Sequence, residues 1–106
     1  MSYEVSIGQF DENVTYNGQP VFAAIIPSGL WGLHGMTGKQ AASCITDGIV
    51  QNWVHPSNNA KRQHVLSKVK PWRHDYPYLT ADRALDFLTR LREACLAHPR
   101  HKVTIF

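Results

Sequence analysis

Residues of alternating apolar and polar character stand at both ends of this chain, and helical periodicity fills the stretch between them. Residues 3–7 and 102–106 both alternate, which is the two-residue period of a strand with one face on a core. Strands grouped away from a helical middle favour an antiparallel or mixed sheet with helices packed on one face, rather than a doubly wound parallel sheet. The sequence therefore predicts the α+β class.

A β-hairpin is expected early in the chain. Asn17-Gly18 suits the positive φ angles of a type I′ turn, and it lies between residues 14–16 and the apolar run 19–26. Because Pro20 has no N–H to donate to a ladder, the strand after the turn should start at or beyond it. These two runs are predicted as the second and third strands.

Helical patterns occupy the middle of the chain. Thr37 and Gln40 have the spacing of a capping box, so a helix should begin there and end before Pro56. A shorter helix with few large apolar residues is expected over 57–69, and a helix with a well-defined apolar stripe over 80–98. The predicted order is β-β-β-α-(α)-α-β, with two or three helices.

Length and composition predict a single α+β domain over residues 1–106. A chain of 106 residues that is 43% hydrophobic can fold around one core. The N-terminus lacks a basic region followed by an apolar one, and no apolar run approaches the roughly 20 residues of a membrane span. The expected location is the cytoplasm, where Cys44 and Cys95 would be buried small hydrophobes rather than a disulfide.

Charge is distributed unevenly along the chain. Residues 1–54 hold one base and four acids, a net charge of −3, whereas residues 55–106 hold ten bases and four acids, a net charge of +6. A concentration of positive charge of this kind is typical of a chain with an anionic partner.

The basic segment 55–78 combines cations with aromatic residues and is the predicted binding surface. It contains five bases before its first acid, and Trp53 and Trp72 bracket its basic part. Phosphates favour such a basic stripe, and exposed aromatic rings can stack on unpaired bases. The candidate partner-binding residues are Lys61, Arg62, His64, Lys68, Lys70, Trp72, Arg73 and Tyr76.

The glycine-rich loop Gly29–Gly38 does not match a known phosphate-binding pattern. A P-loop needs four residues between its glycines and then Lys followed by Ser or Thr, but here Gln40 follows Lys39. Four glycines spaced evenly by three also differ from the dinucleotide-binding fingerprint. A tight turn packed by Trp31 and Met36 is expected, and an anion or partner contact at the loop is the alternative.

The sequence predicts no catalytic residue, cofactor or metal site. His98 and His101 are three apart but have Pro99 between them, and the chain has no pair of Cys or His-Glu motif at zinc-binding spacing. Ser28 lacks the surroundings of a nucleophile elbow.

Three functional hypotheses follow from these residues. The first is a non-enzymatic binding module whose segment 55–78 contacts an acidic partner, either nucleic acid or an acidic protein surface. An inhibitor or accessory of a larger nucleic-acid-handling machine belongs to this class. The second is a metal-independent nuclease or phosphodiesterase that uses His64 or His74 for acid–base chemistry. The third is a structural protein that oligomerises through a sheet edge or the Trp31 loop.

Overall fold

In the described part of the chain, the sheet has three antiparallel strands, and the strand that comes first in sequence lies between the other two. A computed structural model of the chain describes residues 2–68 and 81–106. The strands are β1 (Ser2–Ile7), β2 (Phe10–Thr15) and β3 (Thr104–Ile105). In β1, Tyr3, Val5 and Ile7 are buried and the intervening residues are more exposed, as the alternating pattern predicts.

Four helices complete the described fold. They are α1 (Gln19–Ile25), α2 (Gly38–Ile49), α3 (Asn59–Lys68) and α4 (Ala81–Ala97). Ring contacts join α1 and α4 to the buried face of the sheet: Tyr3 lies 6.4 Å from Phe22, and Phe10 lies 6.3 Å from Phe87. The α+β class with an antiparallel sheet is confirmed.

The hairpin lies elsewhere than predicted, because its turn is Gly8-Gln9 rather than Asn17-Gly18. Gly8 has a φ of +57°, and Ile7 faces Phe10 in a two-residue connection between β1 and β2. The pattern of β2 is hard to recognise because Glu12, on the same side of the strand as buried Val14, is a charged residue. Its carboxylate forms an ion pair with Arg90 of α4.

The predicted third strand over 19–26 is wrong, since most of this run is helix α1. Pro20 falls in the first turn of α1, where a missing N–H costs nothing because that group has no partner inside the helix. Val21, Phe22, Ala24 and Ile25 are buried. A short, wholly apolar run has no clear period, so periodicity alone does not separate a buried strand from a buried helix.

The other predicted helices are confirmed, with adjusted ends. Thr37 and Gln40 form the capping box at the start of α2, and a π-helical turn, Val50–Val54, continues that helix towards Pro56. Helix α3 begins at Asn59 rather than Ser57, because Pro56–Asn58 forms a 3₁₀ turn. In α4, the Asp86 carboxylate accepts a hydrogen bond from Arg90 Nε at 3.1 Å, and the two residues lie one helical turn apart.

The C-terminal strand closes the sheet and is covered on its outer edge. Its two paired residues bond to β1, and the amide of Phe106 donates to the carbonyl of Glu4 at 2.9 Å. On the other side, the amide of Val103 donates to Met36 O at 2.8 Å, and the amide of Ile105 donates to His34 Nδ1 at 2.9 Å. The glycine-rich loop therefore fills the edge that β3 would otherwise leave open.

Candidate anion-binding surfaces

The structure places four of the predicted partner-binding residues on helix α3 and describes the side chains of three of them. Lys61 and His64 are exposed, and Arg62 is half-buried. Lys68 is the last residue of α3, and its side chain is outside the described part of the chain. The remaining candidates, Lys70, Trp72, Arg73 and Tyr76, also lie outside the described residues, as does His74. These assignments therefore stay predictions.

Helix α3 lies on the surface, and few of its described side chains contact the core. Val65 is buried, whereas Asn59, Ala60, Gln63 and Ser67 are exposed. A helix with so few apolar residues needs other contacts to hold it in place, because short isolated helices are marginal in water.

Two cations of α3 supply such contacts by binding backbone carbonyls. Lys61 Nζ donates to Ala24 O at 2.9 Å, close to the end of α1. Arg62 donates to Trp53 O in the π-helical turn and to the side chain of Asn59. Carbonyls at the C-terminal ends of helices lack intrahelical hydrogen-bond donors and carry partial negative charge. A cationic side chain there both donates the missing hydrogen bond and compensates the charge. Lys61 and Arg62 thus have a structural role that the sequence did not indicate.

Replacing Lys61 with methionine should lower the free energy of unfolding by about 1 kcal/mol, because Ala24 O loses a charged donor at a partly exposed site. The measurement is equilibrium unfolding in urea. Lys102→Met is the matched control, since exposed Lys102 forms no ion pair within residues 2–68 and 81–106. Equal loss in both variants would show that the bond to Ala24 contributes nothing.

Among the described residues, the positive charge of α3 has no acidic counterpart in the elements packed most closely against it. The elements packed most closely against it are α1, the π-helical turn Val50–Val54 and the 3₁₀ turn Pro56–Asn58, and none of them contains an acidic residue. Helix α3 itself has no acid. The exposed side of α3 is therefore a cationic surface, which we call the α3 surface and define by Lys61, Arg62 and His64.

Trp53 is not part of that surface, although the sequence places it at one end of the basic segment. Its side chain is only 5% exposed and belongs to the hydrophobic core. It cannot stack on a base without unfolding of its surroundings. Aromatic contact with a partner would have to come from Trp72 or Tyr76, which lie outside the described residues.

A second cationic group was missed by reasoning from the sequence. Lys39, at the start of α2, lies beside the segment 98–102 that follows α4, because the amide of Lys39 donates to Pro99 O at 3.1 Å. The rings of His98 and His101 pack edge to face, with centroids 5.0 Å apart. We call Lys39, His98, Arg100, His101 and Lys102 the basic corner. About 60 residues separate Lys39 from the rest, so no local pattern could have revealed the group.

The predicted residues Trp31 and Met36 do pack in the glycine-rich loop, but its most buried side chains are two leucines. Leu30 and Leu33 are its buried anchors, whereas Trp31 is 49% exposed and Met36 is only partly buried. Trp31 packs on Tyr3 with ring centroids 5.8 Å apart. Because His34 Nδ1 accepts a backbone hydrogen bond, the neutral ring carries its proton on Nε2.

The thiols are unsuited to nucleophilic chemistry at neutral pH. Both cysteines are free, and burial raises the pKa of the Cys95 thiol to about 11. Burial also raises the pKa of half-buried Cys44, with a smaller contribution from the charge of Asp47. Within residues 2–68 and 81–106, no three His, Cys, Asp or Glu side chains are grouped closely enough to hold a metal ion.

None of the helices in the described ranges is long and apolar enough to cross a membrane. Comparison of the chain with known protein families, with curated protein sequences and with solved structures finds no match.

Proposed function

We propose that this chain is a non-enzymatic binding module for an anionic macromolecule, with nucleic acid as the favoured partner. The observation that supports this most is the α3 surface, whose cations are exposed or half-exposed and are packed against elements without acids. Positive charge that forms no ion pair within the described ranges is available to neutralise phosphates and release their counterions.

The fixed position of the α3 surface adds to this argument. Lys61 and Arg62 bond to the carbonyls of Ala24 and Trp53, so their charges are held on an ordered backbone. A partner that binds there loses less side-chain entropy than one that must order free lysines. The proposal extends the surface through segment 55–78, where Lys68, Lys70 and Arg73 would add phosphate contacts and Trp72 with Tyr76 would supply stacking.

The proposed setting is the cytoplasm, where free thiols such as those of Cys44 and Cys95 stay reduced. An inhibitor or accessory of a larger nucleic-acid-handling machine is one form that such a module takes. It would act by covering a nucleic-acid strand or by occupying the groove in which the larger machine binds that strand.

The test uses the double variant Q63E/H64E, which adds negative charge to α3 without removing the bonds of Lys61 and Arg62. Glutamate is a good helix former, and both positions are exposed, so α3 should persist. We expect the affinity for labelled single-stranded and duplex oligonucleotides to fall about tenfold in fluorescence anisotropy at low salt.

The matched control is S2E/N13E, which makes the same change of two charges at exposed positions on the sheet. It should bind nearly as the unmodified chain does. Binding whose logarithm falls linearly with log salt supports phosphate contacts. Loss of affinity equal in both variants would contradict the α3 surface as the binding site. No binding to any oligonucleotide at low salt would contradict a nucleic-acid partner, and an acidic protein would be sought next.

A further inference from the structure

We propose that the basic corner is a second nucleic-acid-binding surface, which contacts phosphates of the strand independently of the α3 surface. The inference rests on the proposed function in one respect, since it takes nucleic acid as the partner. It does not depend on the α3 surface as the place where that partner binds. Its evidence is the convergence of two cationic segments, far apart in sequence, whose cations form no ion pair within residues 2–68 and 81–106.

The backbone holds the corner together through specific hydrogen bonds. The amide of Gly38 donates to His101 O at 2.7 Å, and Thr37 pairs with Lys102 in an antiparallel bridge. Together with the bond from Lys39 to Pro99, these contacts lock the start of α2 against residues 99–102. The cations of the corner therefore lie on a fixed framework and not on a loose tail.

The hairpin turn between β1 and β2 packs against the basic corner. The ring of His98 packs so closely on Gly8 that a Cβ at that position would lie 2.6 Å from the ring atoms. Gly8 is thus required both by its positive φ and by the proximity of His98. His98 in turn contacts the ring of His101, which leaves His101 exposed beside Arg100 and Lys102.

The needs of the fold explain only part of the charge of the corner. Cations after α4 favourably compensate the negative end of that helix, but Lys39 occupies the first turn of α2, where a cation is unfavourable. Within the described ranges, no carboxylate pairs with Lys39, Arg100 or Lys102. The carboxylate near the end of α4, Glu93, pairs with Arg92 instead.

An anion at the corner would be bound by side chains and not by the helix terminus. The first amides of α2 are already occupied, since Gly38 and Lys39 donate to carbonyls and Gln40 donates to Thr37 Oγ1. Flexible cations without a dedicated pocket fit a repeating polyanion better than one small anion, because the strand offers many equivalent phosphates.

The corner and the α3 surface lie at opposite ends of α2. Asn52 Nδ2 donates to Ile25 O and Lys61 donates to Ala24 O, which places α3 beside the far end of that helix. From Gly38 to Trp53 the helical rise spans roughly 20 Å. Charges that far apart are screened from each other at physiological salt, so the two surfaces should contribute independently.

The experiment combines the variant R100Q/K102Q with Q63E/H64E in anisotropy titrations against a labelled single-stranded oligonucleotide over a range of salt concentrations. Glutamine keeps side-chain length and polarity at exposed positions, and circular dichroism confirms that each variant is folded. We expect R100Q/K102Q to weaken binding about tenfold at low salt and to lower the log–log salt slope by about 1.4, for two phosphate contacts.

The combined variant should lose affinity by the product of the two separate factors, as independent surfaces require. If R100Q/K102Q binds like the control S2E/N13E, the corner is not a binding surface and the inference is overturned. If R100Q/K102Q weakens binding while Q63E/H64E does not, the corner stands and the α3 surface proposed above fails.

Discussion

Replacing Phe87 with alanine should lower the free energy of unfolding by about 3–5 kcal/mol. Phe87 is 1% exposed, and its ring lies 5.9 Å from that of Phe22 in α1 and 6.3 Å from that of Phe10 in β2. Its removal takes away a side chain that packs on both elements and leaves a cavity that their backbones can fill only in part.

Urea unfolding followed by circular dichroism measures this loss. Phe106→Ala is the matched control, because Phe106 is the same residue type but is 67% exposed, and the change should cost less than about 0.5 kcal/mol. Small domains have about 5–15 kcal/mol of stability in total, so F87A should populate unfolded chains measurably. Equal losses at the two positions would mean that Phe87 does not join α4 to the sheet.

The parts of the fold that could be predicted are those whose sequence pattern lies within a single helix or strand. The alternation of residues 3–7, the capping box of Thr37 and the apolar stripe of α4 each depend on near neighbours in sequence, and each is confirmed. The first hairpin could not be placed because β2 has Glu12 on its inner side, where the pattern requires an apolar residue. Its partner, Arg90, is 78 residues away.

The same distinction applies to the candidate site. The charge of α3 follows from composition, but the bonds of Lys61 and Arg62 to Ala24 and Trp53 depend on tertiary contacts and were not predictable. Their structural role also changes how binding must be tested. Reversing the charge of Lys61 or Arg62 would loosen α3, so loss of binding would not separate a missing contact from a displaced helix. Gln63 and His64 avoid this ambiguity.

Gly38→Ala should destabilise the protein by several kcal/mol, although alanine in an open helix position is about 1 kcal/mol more favourable than glycine. A Cβ on Gly38 would lie 2.2 Å from His98 O and 2.4 Å from Cys95 O. Both atoms belong to backbone at the end of α4, which cannot rotate away as a side chain could. The backbones of α2 and α4 must therefore separate, with the cost of an overpacked core.

This substitution joins stability to the proposed binding surface, because the same contact holds the basic corner. Separating α2 from α4 stretches the bond from Gly38 N to His101 O and moves Lys39 away from Arg100. We expect Gly38→Ala both to lower the urea midpoint and to weaken oligonucleotide binding, under conditions in which the variant is still folded. Ser43→Ala, at an exposed position of the same helix, should change neither.

Stability and oligonucleotide binding, measured on Gly38→Ala, separate the role of the backbone contact between α2 and the end of α4 from the role of the cations of the basic corner. Reduced stability with unchanged binding would mean that Lys39 and residues 98–102 bind phosphates without fixed relative positions, or do not bind them. Unchanged stability would contradict the close approach of α2 to the end of α4. In the expected outcome, Gly38→Ala loses both stability and oligonucleotide binding, while R100Q/K102Q loses binding only. That pair of results would show that the close packing at Gly38 positions the cations of the basic corner and that these cations bind the phosphates.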